Sequence, residues 1–178
     1  MNDGVRALGA NQAAWKRLGW GLAFVVLVSD QITKWWILSL FQEAERPIFK
    51  ITSFFNIVLA WNPGISFGMF GNAGAYSVEI LIGLTLTISA VLAVWLMRAE
   101  TRLTAWGLGL IVGGAIGNVI DRFRFGAVMD FLDVHVLGYH WPTFNIADSA
   151  IVIGAGALMW EALFAGGESP TNTDHKKH

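Results

Sequence analysis

The sequence predicts an all-α polytopic membrane protein, a single domain over residues 1–178 with four transmembrane helices and a small β-sheet on one face of the bilayer. Three observations predict it. Of the residues, 54% are apolar and only 14% charged, a balance of membrane proteins rather than of water-soluble domains. Stretches at about 18–41, 76–97, 103–121 and 146–165 each offer the roughly 20 apolar positions that a helix needs to cross a bilayer. Trp15, Trp20, Trp35, Trp36, Trp95, Trp106 and Trp160 mostly fall near the ends of these stretches, as an interfacial belt requires.

Composition also excludes several functions. A net charge of -1 with no basic stripe argues against nucleic-acid binding. Without cysteine there is no thiol nucleophile, disulfide framework or thiolate metal site, so any chemistry must use oxygen and nitrogen groups.

Arg6, Lys16 and Arg17 precede the first apolar run as the basic region of a signal peptide would. No small-x-small cleavage site follows, and apolar character resumes from Trp35 to Phe41, so the segment reads as an uncleaved span. An even number of spans puts the tails 1–17 and 166–178 on one side. Arg6, Lys16, Arg17, Arg98, Arg102, Lys176 and Lys177 assign that side to the cytoplasm, although Arg46, Lys50, Arg122 and Arg124 fall opposite. The connections 42–75 and 122–145 then share the outer face with the polar end of the first span, the exit of the third and the entry of the fourth.

In the first span Asp30 and Lys34, spaced i, i+4, share a helix face and can pair, with Gln31 beside them. In the connection 42–75, Phe54 to Trp61 has the aromatic and β-branched content of a strand, Asn62-Pro63-Gly64 is a turn, and the apolar pattern resumes from Ile65 to Phe70. A small antiparallel sheet at the membrane surface is expected there. Gly64-Ile65-Ser66-Phe67-Gly68 matches G-x-S-x-G, but a nucleophile elbow needs a large α/β sheet for which this chain has no room. A serine-protease reading would use Ser66 with His135 or His140 as base.

The second span, Tyr76 to Met97, reads as scaffold with Glu79 near its outer end. The third carries Gly107, Gly109, Gly113, Gly114 and Gly117, a small-residue spacing that lets another helix approach closely. At its exit Asn118, Asp121 and Arg122 share a face, where Arg122 is expected to pair with Asp121 and leave it a structural group.

Asp130 lies in the apolar segment Ala127 to Leu132 with no adjacent cation, where desolvation favours retaining a proton. Asp133 is read as one helical turn further on, facing water. Asn145 is placed to cap the fourth helix, with Asp148 in its first turn; an acid there can also simply complement the helix dipole. Carboxylates at a bilayer boundary are costly, and two brought together cannot both ionise easily, so one keeps its proton while the other acts as a base. Such a pair activates water for peptide hydrolysis. A proton relay or transporter using Asp30, Asp121 and Asp148 would spread its acids along a pathway, whereas these cluster at one face. A metal-dependent headgroup transferase would gather Asp121, Asp130 and Asp133.

Taken together, Asp30-Gln31-Ile32-Thr33-Lys34, Asn62-Pro63-Gly64, Gly117-Asn118-Val119-Ile120-Asp121-Arg122, Val128-Met129-Asp130-Phe131 and Phe144-Asn145-Ile146-Ala147-Asp148-Ser149-Ala150 make the chain resemble the bacterial lipoprotein signal peptidases, or signal peptidase II family. The resemblance runs in the family's order through nearly all of the chain between the tails. It implies a monomeric aspartyl endopeptidase of the inner membrane, without metal or cofactor, whose site faces the periplasm. Its partners would be membrane lipids and prolipoproteins, which it cuts before a cysteine carrying diacylglycerol. By motif, Asp130 and Asp148 would be the catalytic dyad, and Asp30, Lys34, Asn62, Asn118, Arg122 and Asn145 would support the site or bind substrate. The sheet and a short extracytoplasmic helix after Arg122 would flank the substrate. Many relatives read Asn-Thr-Gly-Ala-Ala-Phe at the turn, where this chain has Pro63, which removes a backbone donor.

Overall fold

The computed structural model describes residues 3–44, 48–64 and 77–164. Helix α1 spans Asp3–Ala44, α2 Ser77–Met97, α3 Arg102–Phe125 and α4 Ile146–Phe164. Each is long and apolar enough to cross a membrane. The strands are β1 Ile48–Lys50, β2 Phe55–Asn62, β3 Val128–Val136 and β4 Tyr139–His140.

The first helix begins well before its apolar run. Ala7, Leu8, Ala10, Ala13 and Ala14 favour helix, and no proline occurs before Pro47, so nothing stops the helix at the membrane boundary.

Helix α3 is the centre of the bundle and packs against α1, α2 and α4. It is 61% buried over its most apolar window, against 11–22% for the other three. The glycine stripe makes this possible: a β-carbon on Gly107 would lie 2.9 Å from the Gly154 carbonyl oxygen of α4. Thr101 caps its start, accepting from the Thr104 amide, and Gly126 ends it at φ 72 with its amide on the Arg122 carbonyl. Thr101 and Thr104 also donate to Glu161 near the far end of α4.

The strands form one antiparallel sheet in the order β1-β2-β3-β4. It reaches further than the expectation. Strands β1 and β2 pair within residues 42–75 as expected, and β2 also pairs, across the chain, with β3, so the sheet extends into the second connection. The expected partner, Ile65 to Phe70, lies outside the described residues, as does Ser66.

No separate helix follows Arg122. Residues 123–125 complete α3 and residues 128–136 are strand, because Val128, Phe131, Val134 and Val136 favour the pleated conformation and β2 offers a free edge. Asp133 is accordingly not a helical turn beyond Asp130. Three residues apart on a strand, the two carboxylates point to opposite faces, and Asp133 is buried. The Phe131 and Leu132 amides both donate to the Phe144 carbonyl, which ties β3 to the start of α4 and sets Asn145 beside Asp130.

Candidate active site

The ends of α1 and α3 and the start of α4 nearest the sheet, with the face of the sheet that carries Asp130, meet around a buried polar network. Its anchor is Lys34. The ammonium lies 2.8 Å from Asp30 Oδ2 and 2.7 Å from Asp121 Oδ2, all three side chains being buried. Arg122 therefore does not take the role expected of it. Its Nη1 donates to the Asn118 carbonyl at 3.5 Å, and Lys34 pairs with Asp121 instead, because the turn of α3 that carries Asp121 faces α1.

Both acids are satisfied on their other lone pairs. Asp30 Oδ1 accepts from the Ala147 amide at 3.1 Å, Asp121 Oδ2 from the Met129 amide at 3.1 Å, and Gln31 Nε2 reaches Asp30 and Asp121 at 3.2 Å. One ion triad thus fixes α1 to α3, to the entry of α4 and to the start of β3.

Gly117 was legible only as packing. A β-carbon there would lie 2.6 Å from Asp30 Oδ2, so its missing side chain is the space the triad occupies. Its position one residue before Asn118, within a polar helix exit, is the signal that could have found it.

Asn118 carries the network from this triad to the second pair of acids. Its Oδ1 accepts from Lys34 at 3.3 Å, and its Nδ2 donates to Asp148 Oδ1 at 2.8 Å. Asn145 caps α4, accepting from the Asp148 amide at 2.9 Å, while Asp148 Oδ2 accepts from the Asn145 amide at 3.3 Å. Asp148 thus closes a capping box and still turns its other oxygen to Asn118. The Asn145 Nδ2 donates to Asp130 Oδ1 at 2.7 Å, and Asn62 Nδ2 donates to Asp130 Oδ2 at 3.0 Å. Asp130 and Asp148 are therefore held against the same asparagine.

Pro63 fits this geometry. Asn62 Oδ1 accepts from the Gly64 amide at 2.9 Å, a turn that needs no amide at residue 63, and Gly64 takes the φ of 83 that follows. A β-carbon on Gly64 would lie 3.0 Å from an Arg122 guanidinium nitrogen, which places Arg122 beside this turn, its buried Nε without a hydrogen-bond partner among the described residues.

The environments of Asp130 and Asp133 differ in charge. Burial pushes the Asp130 carboxyl up to about 6; Asp148 adds to that, while hydrogen bonds from Asn62 and Asn145 and the charge of Lys34 oppose it. Burial also pushes Asp133 up, but Asn56 at 2.8 Å and His140 at 2.7 Å outweigh it and hold this carboxyl below the usual range. The acids of the metal-dependent reading do not converge: Asp121 is taken by Lys34, and Asp133 lies on the far face of the sheet with His135 and His140.

The comparisons with known proteins bear on this arrangement. The family model for signal peptidase (SPase) II matches residues 22–164, which include every acid of the network. The chain belongs to the signal peptidase II family. It is 46% identical to the lipoprotein signal peptidase of Rhodopseudomonas palustris over 83% of this chain and 92% of that one. To the lipoprotein signal peptidase of Beijerinckia indica it is 43% identical over 89% and 96%. Two solved bacterial membrane enzymes superpose with TM-scores of 0.69 and 0.70 at 26% and 27% identity, covering 90% and 83% of this chain and 94% and 93% of theirs. As a signal peptidase II family member the protein is a multi-pass membrane peptidase of lipoprotein processing.

Proposed function

We propose that the protein is an aspartyl endopeptidase of the bacterial inner membrane, in which Asp130 and Asp148 cut the signal peptide from prolipoproteins before a diacylglyceryl-modified cysteine. The observation that carries this is the pairing of two unlike carboxyls through Asn145: Asp130, buried and pushed up to about 6, and Asp148, held by Asn118 and the start of α4.

In this reading Asp148 is the base. It takes a proton from water as the oxygen attacks the scissile carbonyl, and Asp130, holding its proton, polarises that carbonyl. The tetrahedral intermediate collapses when a proton is delivered to the leaving nitrogen, which breaks the C–N bond and leaves one proton on the pair. Asn62 and Asn145 orient the Asp130 oxygens, and Asn118 orients Asp148. Lys34, Asp30 and Asp121 hold the three helices at the spacing the pair needs. Arg122, whose guanidinium lies beside Gly64, would bind a substrate carbonyl. The site faces the periplasm, the enzyme acts as a monomer, and the bilayer concentrates the apolar signal helix and acyl chains beside it.

The test is cleavage by the purified protein in detergent with EDTA, offered one prolipoprotein with and without diacylglycerol on its cysteine. The lipidated form is cut and the chelator has no effect. Loss of turnover in EDTA, or equal cleavage of the unmodified form, contradicts the reading.

A further inference from the structure

The face of the sheet turned away from Asp130 carries a second cavity, walled by Ile48 and Leu137 as well as by polar groups, that the peptidase reading does not use. A cavity of about 610 Å³ opens there, lined by Lys50 of β1, Thr52 and Ser53 of the β1–β2 turn, Asn56 of β2, His135 of β3 and His140 of β4. The size is that of small-molecule sites. The titratable groups on this face are Lys50, His135, His140 and Asp133. Asp133 is the one acid there among the described residues and is already committed, accepting from Asn56 Nδ2 at 2.8 Å and bonded to His140 Nδ1 at 2.7 Å. The imidazoles of His135 and His140 stack at 4.8 Å between centroids. An exposed Lys50, two imidazoles and two hydroxyls, with the Asp133 carboxylate already bonded to Asn56 and His140, offer several donors to an anion with several oxygens.

The surroundings identify which anion. Strand β1 starts four residues after α1 ends, and β3 starts three residues after α3 ends, so the sheet lies directly on the bilayer surface that these spans leave. At the rim of the cavity, which Leu137 itself lines, the β3–β4 hairpin and the residue after it expose Val136, Leu137, Tyr139 and Trp141, with Leu137 fully exposed at the tip. Leu137 also takes a φ of 51, a left-handed conformation that leucine adopts only at a cost, while Gly138 beside it supplies the same conformation freely. A strained, fully exposed leucine flanked by Tyr139 and Trp141 has the chemistry of the headgroup–acyl boundary.

We propose that this cavity binds the phosphodiester headgroup of an anionic phospholipid, with the Leu137 tip set into the boundary of the same leaflet. Lys50 and the imidazoles meet the phosphate oxygens, Thr52 and Ser53 donate to them, and Asp133 holds His140 in orientation through Nδ1. Such a contact would hold the sheet, and with it Asn62 and Asp130 of the opposite face, at a fixed height over the membrane. The proposal rests on the sheet's place at the bilayer and not on the chemistry of Asp130 and Asp148.

The test is native mass spectrometry of the full chain in detergent with phosphatidylglycerol or phosphatidylcholine added, comparing wild type with Lys50→Gln, Lys50→Arg and His140→Gln. Wild type retains phosphatidylglycerol in preference to phosphatidylcholine. Lys50→Gln weakens that retention roughly five-fold, the effect of one cation at a membrane surface, and Lys50→Arg restores it. Equal retention of phosphatidylglycerol by wild type and Lys50→Gln overturns the proposal, and so does failure of Lys50→Arg to restore it. Displacement of the lipid by glycerol phosphate at equal concentration also overturns it, since the socket would then take a free anion. The absence of native cysteine allows a spin label at Leu137→Cys in nanodiscs. The label is more accessible to oxygen than to a water-soluble nickel chelate if the tip is inserted, and the reverse order contradicts insertion.

Discussion

Lys34 is a single ammonium held between two buried carboxylates, and that ratio governs what its loss does. Replacing it leaves Asp30 and Asp121 facing each other in a site that excludes water. Breaking a buried ion pair by removing one partner costs about 3–5 kcal/mol. Lys34→Ala is expected to lose that much, read as a lowered midpoint of thermal or denaturant unfolding in detergent. A variant as stable as wild type would mean that the triad contributes nothing to the fold. Asp130 makes a prediction of a different kind. Its carboxyl, pushed up to about 6, is protonated below that pH and ionises as the pH rises through it. If its proton polarises the scissile carbonyl, kcat/KM falls on the alkaline side with an apparent pKa near 6, which belongs to the coupled pair and not to one residue. A rate that rises through this range would assign the proton elsewhere.

At the scale of elements, α3 matters most, because its glycines admit α1 and α4 closely enough for short polar side chains to meet. Gly117→Ala would put a methyl group 2.6 Å from Asp30 Oδ2. Overpacking of this kind costs about 1–3 kcal/mol. The variant is expected to unfold earlier and to cleave more slowly, whereas Gly21→Ala, with nothing within 4 Å of the new carbon in the interior of α1, unfolds no earlier and cleaves as fast as wild type. The four helices were legible in the sequence because apolar length is a local property, and Asn145 was legible as a cap for the same reason. Strand β3 was not. Its partner is β2, more than 60 residues away in the chain, and the tertiary pairing overrides a segment whose local pattern reads equally as helix. Misreading β3 as helix put Asp133 in water; on a strand it is buried on the face opposite Asp130. The identities of the acids were visible in the sequence, but which cation serves which acid was not. Arg122 adjoins Asp121 in sequence, yet the ammonium that reaches Asp121 comes from α1.

In the whole molecule, two networks lie on opposite faces of one sheet. On one face Asp30, Lys34 and Asp121 lock the helices and Asn118, Asn62 and Asn145 position Asp130 and Asp148; on the other, Asp133, Asn56 and His140 line a separate cavity. The division makes sense of the aspartates that crowd one end of the spans: some are structural, two are proposed to be chemical, and one serves another surface. The most direct measurement is single-turnover cleavage of a diacylglyceryl-modified prolipoprotein by wild type, Asp130→Asn and Asp148→Asn, each first shown to retain its helix content. Both variants are expected to lose roughly 10²–10⁴-fold in rate, the range that a positioned acid or base supplies. Near-wild-type turnover by either folded variant would contradict the account and move the search to Asp121 and Asp133.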